Sequence, residues 1–316
     1  MNRNPIPENH AVLRARAASF ALGAAFFLTA LKLGVAAYSR SVGVLSEGIH
    51  SGLDLVSALV AAYSIREAGK PADREHPYGH GKIETLSSLL ESLLLVLASI
   101  FITIEAIDHL RHPVAVEHAG SAIASIAISL VVSFVVFRHN ARAGQTTESS
   151  AIQVNALHFF ADAITSAGVL VGLVAISVTG ATWIDPAIAF GIAVYILAIS
   201  GRQILRSVEE LTDRRLPLEE VERTRKILDT FKPRIMEVHE LKTRKSGVHR
   251  HFNFHALVCG RLSVAESHAV CDEIEDRLEA EFPGSHITIH VEPCGHHGSA
   301  LPSRCFRTAS GKCEAK

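Results

Sequence analysis

Six long apolar stretches dominate this chain, at about residues 15–38, 41–65, 84–110, 117–137, 151–178 and 183–203. Each reaches the roughly 20 residues that a helix needs to cross the hydrocarbon of a bilayer. In lipid every backbone N–H and C=O must be bonded within the protein, so stretches of this kind are expected to span as α-helices. The third is the least clean, with Glu84, Glu91, Glu105 and Asp108, but residues 92–104 carry no charge. Its acids are expected to face other helices or to lie near the membrane surfaces. Composition agrees: 48% of the 316 residues are hydrophobic and only 20% are charged, values that are high and low for a soluble protein. Residues 17–205 hold few Lys or Arg, whereas 202–292 are dense in both signs. The expected domains are therefore a short segment 1–13, six spans within 14–206, a soluble domain 207–294 and a disordered tail 295–316.

The connections at 38–41, 110–117 and 178–183 are short and hold only Arg40 and Arg111 as firm positive charges. The opposite side collects Arg3, Arg14, Arg16, Arg66, Lys70, Arg74, Lys82, Arg138, Arg142 and the C-terminal region. The positive-inside rule then places both termini in the cytoplasm, in a multi-pass protein of the cytoplasmic membrane. Residues 1–10 are polar and the first apolar stretch is long enough to span, so no cleavable signal peptide is expected. A formal net charge of −1 gives no general basic surface, and no nucleic-acid partner is expected. Five cysteines, Cys259, Cys271, Cys294, Cys305 and Cys313, lie in the soluble half without a C-x-x-C pair. In a cytoplasmic setting reduced thiols are expected, with Cys259 and Cys271 as ordinary buried small residues.

Within the second stretch His50 and Asp54 are four residues apart, so a helix places them on one face a turn from each other. The fifth stretch repeats the spacing with His158 and Asp162. A single pair of this kind can be a buried hydrogen bond between helices. Two pairs facing each other offer two imidazoles and two carboxylates, a four-ligand cage for a divalent metal. Ionisable groups at this depth are costly and mark ion paths. Lys32, a lone cation in the first stretch, is expected to pair with an acid of another helix.

Between the second and third stretches, residues 73–82 read Asp-Arg-Glu-His-Pro-Tyr-Gly-His-Gly-Lys. Pro77, Gly79 and Gly81 prevent a helix, so a tight loop is expected. Its Asp73, His76 and His80 are either solvated or hold a second metal.

After Arg206 the pattern becomes that of a small α+β domain. A helix is expected over 217–231, strands over 235–244 and 248–258 with a turn at 245–247, a helix over 263–282, and a third strand over 286–292. The second helix opens on Ser263 with Glu266 in capping-box position. This αββαβ order suggests a three-stranded sheet with two helices on one face. Alternation puts His249, His251, Asn253 and His255 on one strand face and Phe252 and Phe254 on the other. His286, Thr288, His290 and Glu292 likewise share a face. With His239 and His268 they form either a solvated face or a metal cluster.

Together, the two His-x-x-x-Asp spans, the His-Pro-Tyr-Gly-His-Gly-Lys loop and the His-bearing αββαβ domain resemble the cation diffusion facilitator family, over about residues 10–295. The resemblance implies a homodimeric six-helix transporter of Zn²⁺ or related divalent ions, exchanging them for protons. It implies a cytoplasmic, copper-chaperone-like, metal-binding domain that helps the protein dimerise. Carried over by position, His50, Asp54, His158 and Asp162 form the transport site, and Asp73, His76 and His80 the loop site. His239, His255, His268, His290 and Glu292 form the cytoplasmic site, where bound metal is structural or regulatory. Many bacterial members have Asp where this chain has His50, and often Asp where it has Glu292. His249 and His251 have no place in the pattern. Lys82 matches a position that pairs with an acid near the dimer seam.

The expected function is Zn²⁺ efflux by proton antiport, in which two carboxylates and two neutral imidazoles balance one divalent charge. Fe²⁺, Mn²⁺, Co²⁺ and Cd²⁺ stay open as the chief cargo. An intramembrane zinc enzyme would need an open metal position and a base. Glu47 is the one nearby candidate base, but four protein ligands leave no open position, so no enzyme is expected. A metal sensor would not need ionisable ligands within the bilayer.

Overall fold

A computed structural model of the chain describes residues 8–39, 42–111, 119–181, 183–232, 234–294, 306–307 and 313–314. Two compact units divide along the chain between Leu211 and Thr212. The first consists of six helices, α1 (Glu8–Ser39), α2 (Val42–Ala68), α3 (Lys82–Arg111), α4 (Ala119–Thr147), α5 (Ser150–Thr179) and α6 (Ile184–Leu211). All six contain stretches long and apolar enough to cross a membrane. Their outer faces expose Phe26, Leu97 and Val174, as surfaces that meet lipid tails should.

Small and hydroxyl residues form the interior. Ala21 and Ala25 of α1, Ala58 of α2, Val136 of α4 and Phe159 of α5 make one core cluster. In lipid the helices gain little from burying apolar side chains, so close backbone approach and interhelical hydrogen bonds hold the bundle. Ser88, Ser92 and Ser99 of α3 return their hydroxyls to carbonyls four residues back, and Asn140 of α4 donates to Asn155 of α5 at 2.9 Å. A Cβ at Gly168 or Gly172 of α5 would meet Ile192 or Asp185 of α6, so these glycines permit the close α5–α6 contact. Ser149 caps α5, accepting from the Ile152 N–H, and Gly180 ends it at φ 71°, a conformation that favours glycine.

The acids of α3 fall into two groups. Glu84 and Glu91 are fully buried, while Glu105 and Asp108 are exposed. Glu84 meets Arg14 of α1 at 3.4 Å and accepts from the Ser149 hydroxyl. Glu91 accepts from Ser87 at 3.0 Å.

The second unit contains α7 (Leu218–Asp229), β1 (Ile235–Ser246), β2 (His249–Val258), α8 (Val264–Glu281) and β3 (His286–Pro293), the αββαβ order read from sequence. Strands lie in the order β1-β2-β3. The first pair is antiparallel, turned at Gly247 with φ 60°. The β2–β3 pair is parallel, so α8 supplies the crossover that a parallel pair requires. Ser263 and Glu266 form the expected capping box at the start of α8. Leu228, Phe254, Ile274 and Leu278 anchor the core, with Ile287, Ile289 and Val291 packed against it. The register shifts between His239 and Lys242, where Glu240 takes φ 50°, a bulge that strand alternation does not reveal.

One expectation about the cysteines is corrected. Cys259 is disulfide-bonded rather than reduced, while Cys271 and Cys294 are free, buried thiols. In the tail, β4 (Phe306–Arg307) pairs antiparallel with β5 (Cys313–Glu314). The other tail residues, for which disorder is expected, lie outside the described residues.

Candidate metal centres

The first centre lies within the helical unit. His50 and Asp54 stand one turn apart on α2, as His158 and Asp162 do on α5, because i,i+4 residues share a helix face. The two helices bring the pairs together. His158 Nε2 donates to Asp54 Oδ1 at 2.9 Å and lies 3.9 Å from Asp162 Oδ2. His50 Nε2 is 3.9 Å from Asp54 Oδ1. One ligand atom each of His50, Asp54 and Asp162 lies within 4.8 Å of the others. Burial is graded: the His158 side chain is 9% exposed and that of His50 39%, so the cluster has a closed and a more open side. Lys32 of α1 is near enough to act electrostatically on both Asp54 and Asp162.

Glu91 was not singled out from sequence as part of this centre. It sits on α3, fully buried, close enough to act on His158. The available signal was a carboxylate one residue before the uncharged core of the third stretch. The Glu47 side chain lies outside the described residues.

The second group is built by the loop between α2 and α3. Asp73 Oδ1 accepts from the backbone N–H groups of His76 and Glu75, at 2.6 and 2.9 Å. The His76 N–H above all holds the Asp73 carboxyl below its ordinary range; loss of solvation opposes it, and the Glu75 N–H adds to the lowering. His76 Nδ1 is 3.4 Å from Asp73 Oδ1 and His80 Nε2 is 3.3 Å from Oδ2. The two rings are 4.5 Å apart between centroids. Asp73 and His76 are exposed and His80 is buried. Gly79 at φ 80° bends the chain so that its N–H reaches the His76 carbonyl. Lys82, just beyond, donates to the Leu211 carbonyl at 3.3 Å.

The third group lies on the sheet. Register places His239, His255 and His290 side by side across β1, β2 and β3. Glu292 is buried, with His255 Nδ1 at 3.0 Å and His239 Nε2 at 3.3 Å from its oxygens. His290 is 3.7 Å from the same carboxylate. His268 lies on α8, its side chain 74% exposed and 4.0 Å from Asp272, and is not among the residues whose ligand atoms cluster within 4.8 Å around Glu292.

Six apolar helices followed by a small αββαβ unit define a multi-pass membrane protein with an appended α+β domain. Residues 18–212 match the cation efflux transmembrane domain and residues 216–294 the cytoplasmic domain of cation efflux proteins. The chain belongs to the cation diffusion facilitator family of cation efflux transporters, and it is a transporter of metal cations rather than an enzyme. An uncharacterized transporter of Synechocystis sp. is 33% identical over 87% of this chain and 89% of its own. The cation-efflux pump FieF of Citrobacter koseri is 31% identical over 89% of this chain and 93% of its own. Among solved structures, CzrB in its Zn form is 48% identical, covering 27% of this chain and 97% of its own, with a TM-score of 0.26.

Proposed function

We propose that this protein exports a divalent metal ion, Zn²⁺ first, from the cytoplasm in exchange for protons. It does so as a homodimer in the cytoplasmic membrane, with both termini in the cytoplasm. The observation that carries this reading is the meeting of His50, Asp54, His158 and Asp162 between α2 and α5. Two carboxylates cancel the charge of one M²⁺, and two imidazoles favour a borderline ion such as Zn²⁺ over a harder one. The loaded cage is then neutral, which lowers the cost of holding an ion in low dielectric.

Proton exchange follows from the same groups. Without metal, two carboxylates face each other across the bundle, and a His158 imidazolium, with a proton on each nitrogen, would offset one of their charges while donating to Asp54. Nitrogens that ligate metal must give up their protons, so loading releases them. Rocking of α2 and α5 against the other helices would present the cage to either side. The loop group at Asp73, His76 and His80 and the sheet group are proposed as further metal sites. Under this reading the sheet group acts in the dimer as a structural or regulatory site rather than on the transport path.

The test is metal flux into sealed vesicles that contain the purified protein. Zn²⁺, Cd²⁺, Co²⁺, Fe²⁺ and Mn²⁺ are compared with and without an imposed pH difference. Zn²⁺ is expected to move fastest and to follow the proton gradient. Flux indifferent to the gradient, with no proton release on binding, overturns antiport; flux of Fe²⁺ or Mn²⁺ well above Zn²⁺ overturns the choice of cargo.

A further inference from the structure

We propose that His249, His251 and His286 form an additional, all-imidazole metal site for a borderline divalent ion such as Zn²⁺, Ni²⁺ or Cu²⁺. The site is independent of the transport cage and of the His239–His255–Glu292 group. His249 and His251 are two apart on β2, so their side chains leave the same face of the sheet about 7 Å apart along the strand. His286 opens β3 and pairs in register with His251 across the parallel ladder. Three imidazoles from two adjacent strands thus converge on one patch. From His251 to His255 is four residues of strand, about 13 Å, too far for one ion to bridge the two groups.

Two of the three ring spacings suit a shared ion, and His286, the ring common to both, has to turn before one nitrogen of each can meet it. The His286 centroid lies 4.9 Å from that of His251 and 5.5 Å from that of His249. Imidazoles bound to one tetrahedral ion at an N–metal distance of about 2.0–2.1 Å have centroids about 5 Å apart. His251 and His286 are now stacked, 16° between planes, and the exposed His286 can turn to aim a nitrogen without disturbing the core.

The His249 ring is already oriented. Its Nδ1 donates to the Gly284 carbonyl at 3.0 Å, which leaves Nε2 with its lone pair free for an ion. Metal-ligating histidines commonly use their second nitrogen in this way. His251 is buried, His249 half-buried and His286 exposed, so the three rings run from the domain interior to its surface.

The electrostatics suit neutral ligands. Burial first, then Arg244, pushes the His251 imidazole down to about 4, and burial chiefly lowers His286 as well. Arg244 is the nearby cation, and its guanidinium meets Asp213 at 3.3 Å. Glu279 acts on His286 with the opposite sign.

The experiment uses the full chain, purified in detergent and stripped with chelator, with bound Zn²⁺ counted at saturation and Co²⁺ as an absorption probe. His249→Ala and His286→Ala are each expected to lose the same one equivalent of Zn²⁺ and the same Co²⁺ band. His239→Ala is expected to lose a different equivalent, so His239→Ala with His286→Ala loses both. His251→Ala can disturb the buried face, whereas the exposed His286 leaves the fold intact, as its unchanged elution and circular dichroism would show. If His249→Ala and His286→Ala bind as many ions as wild type with unchanged affinity, the three rings are aromatic packing and the site does not exist.

Discussion

Among single residues, Asp162 matters most to the proposed transport. Its carboxylate closes the cage opposite Asp54, and His158 Nε2 lies between the two. Asp162→Ala leaves a divalent ion with one counter-charge in a low-dielectric interior. Flux is expected to fall to background while the protein stays folded and its soluble sites still bind metal; retention of near wild-type flux removes the cage as the transport site. The two His-x-x-x-Asp pairs were legible in the sequence because helical geometry puts i and i+4 on one face. Glu91 was not assigned to the same neighbourhood, because nothing local shows which helix a lone buried acid faces.

Pairs of elements set the next scale, and two contacts make sharp predictions. The first joins α1, α3 and the start of α5 through Arg14, Glu84 and Ser149. Arg14 and Glu84 are both buried, so removing either strands a charge in the interior, at a cost of roughly 3–5 kcal/mol. Glu84→Ala and Arg14→Ala are each expected to lower the melting point of the helical unit clearly. The double variant is expected to lose less than the sum, because the pair shares one interaction. Additive losses mean the pair is not coupled.

The second contact is the two-pronged bond from Arg234, just before β1, to Glu273 of α8, at 2.8 and 2.7 Å. The Arg234 guanidinium holds the Glu273 carboxyl below its ordinary range. A carboxylate with a depressed folded-state pKa contributes stability above its unfolded pKa and loses it as pH falls through the folded value. Glu273→Gln is thus expected to speed amide exchange in α8 modestly at pH 7 and to make no difference well below the carboxylate range. The contact is exposed, so the effect is small. An equal effect at both pH values points to lost packing instead.

At the scale of the whole molecule, two compact units share one chain. A chain ending at Leu211 keeps all four cage residues. It is expected to bind metal in the membrane unit and to lose the sheet sites and much of its dimerisation. A folded truncation that binds no metal there shows the cage to be incomplete without the soluble unit.

From sequence alone came the six spans, because bilayer thickness and the need to bond every backbone group leave few alternatives. The αββαβ order was equally legible, from alternation, the Ser263–Glu266 cap and the turn at Gly247. These are local signals, carried by neighbours in the chain. Only the tertiary structure decided which distant groups meet. It set His158 against Asp54, Glu84 against Arg14 and His286 against His251. Periodicity shows which face a side chain takes, but the partner of that face is set by packing between segments far apart in sequence.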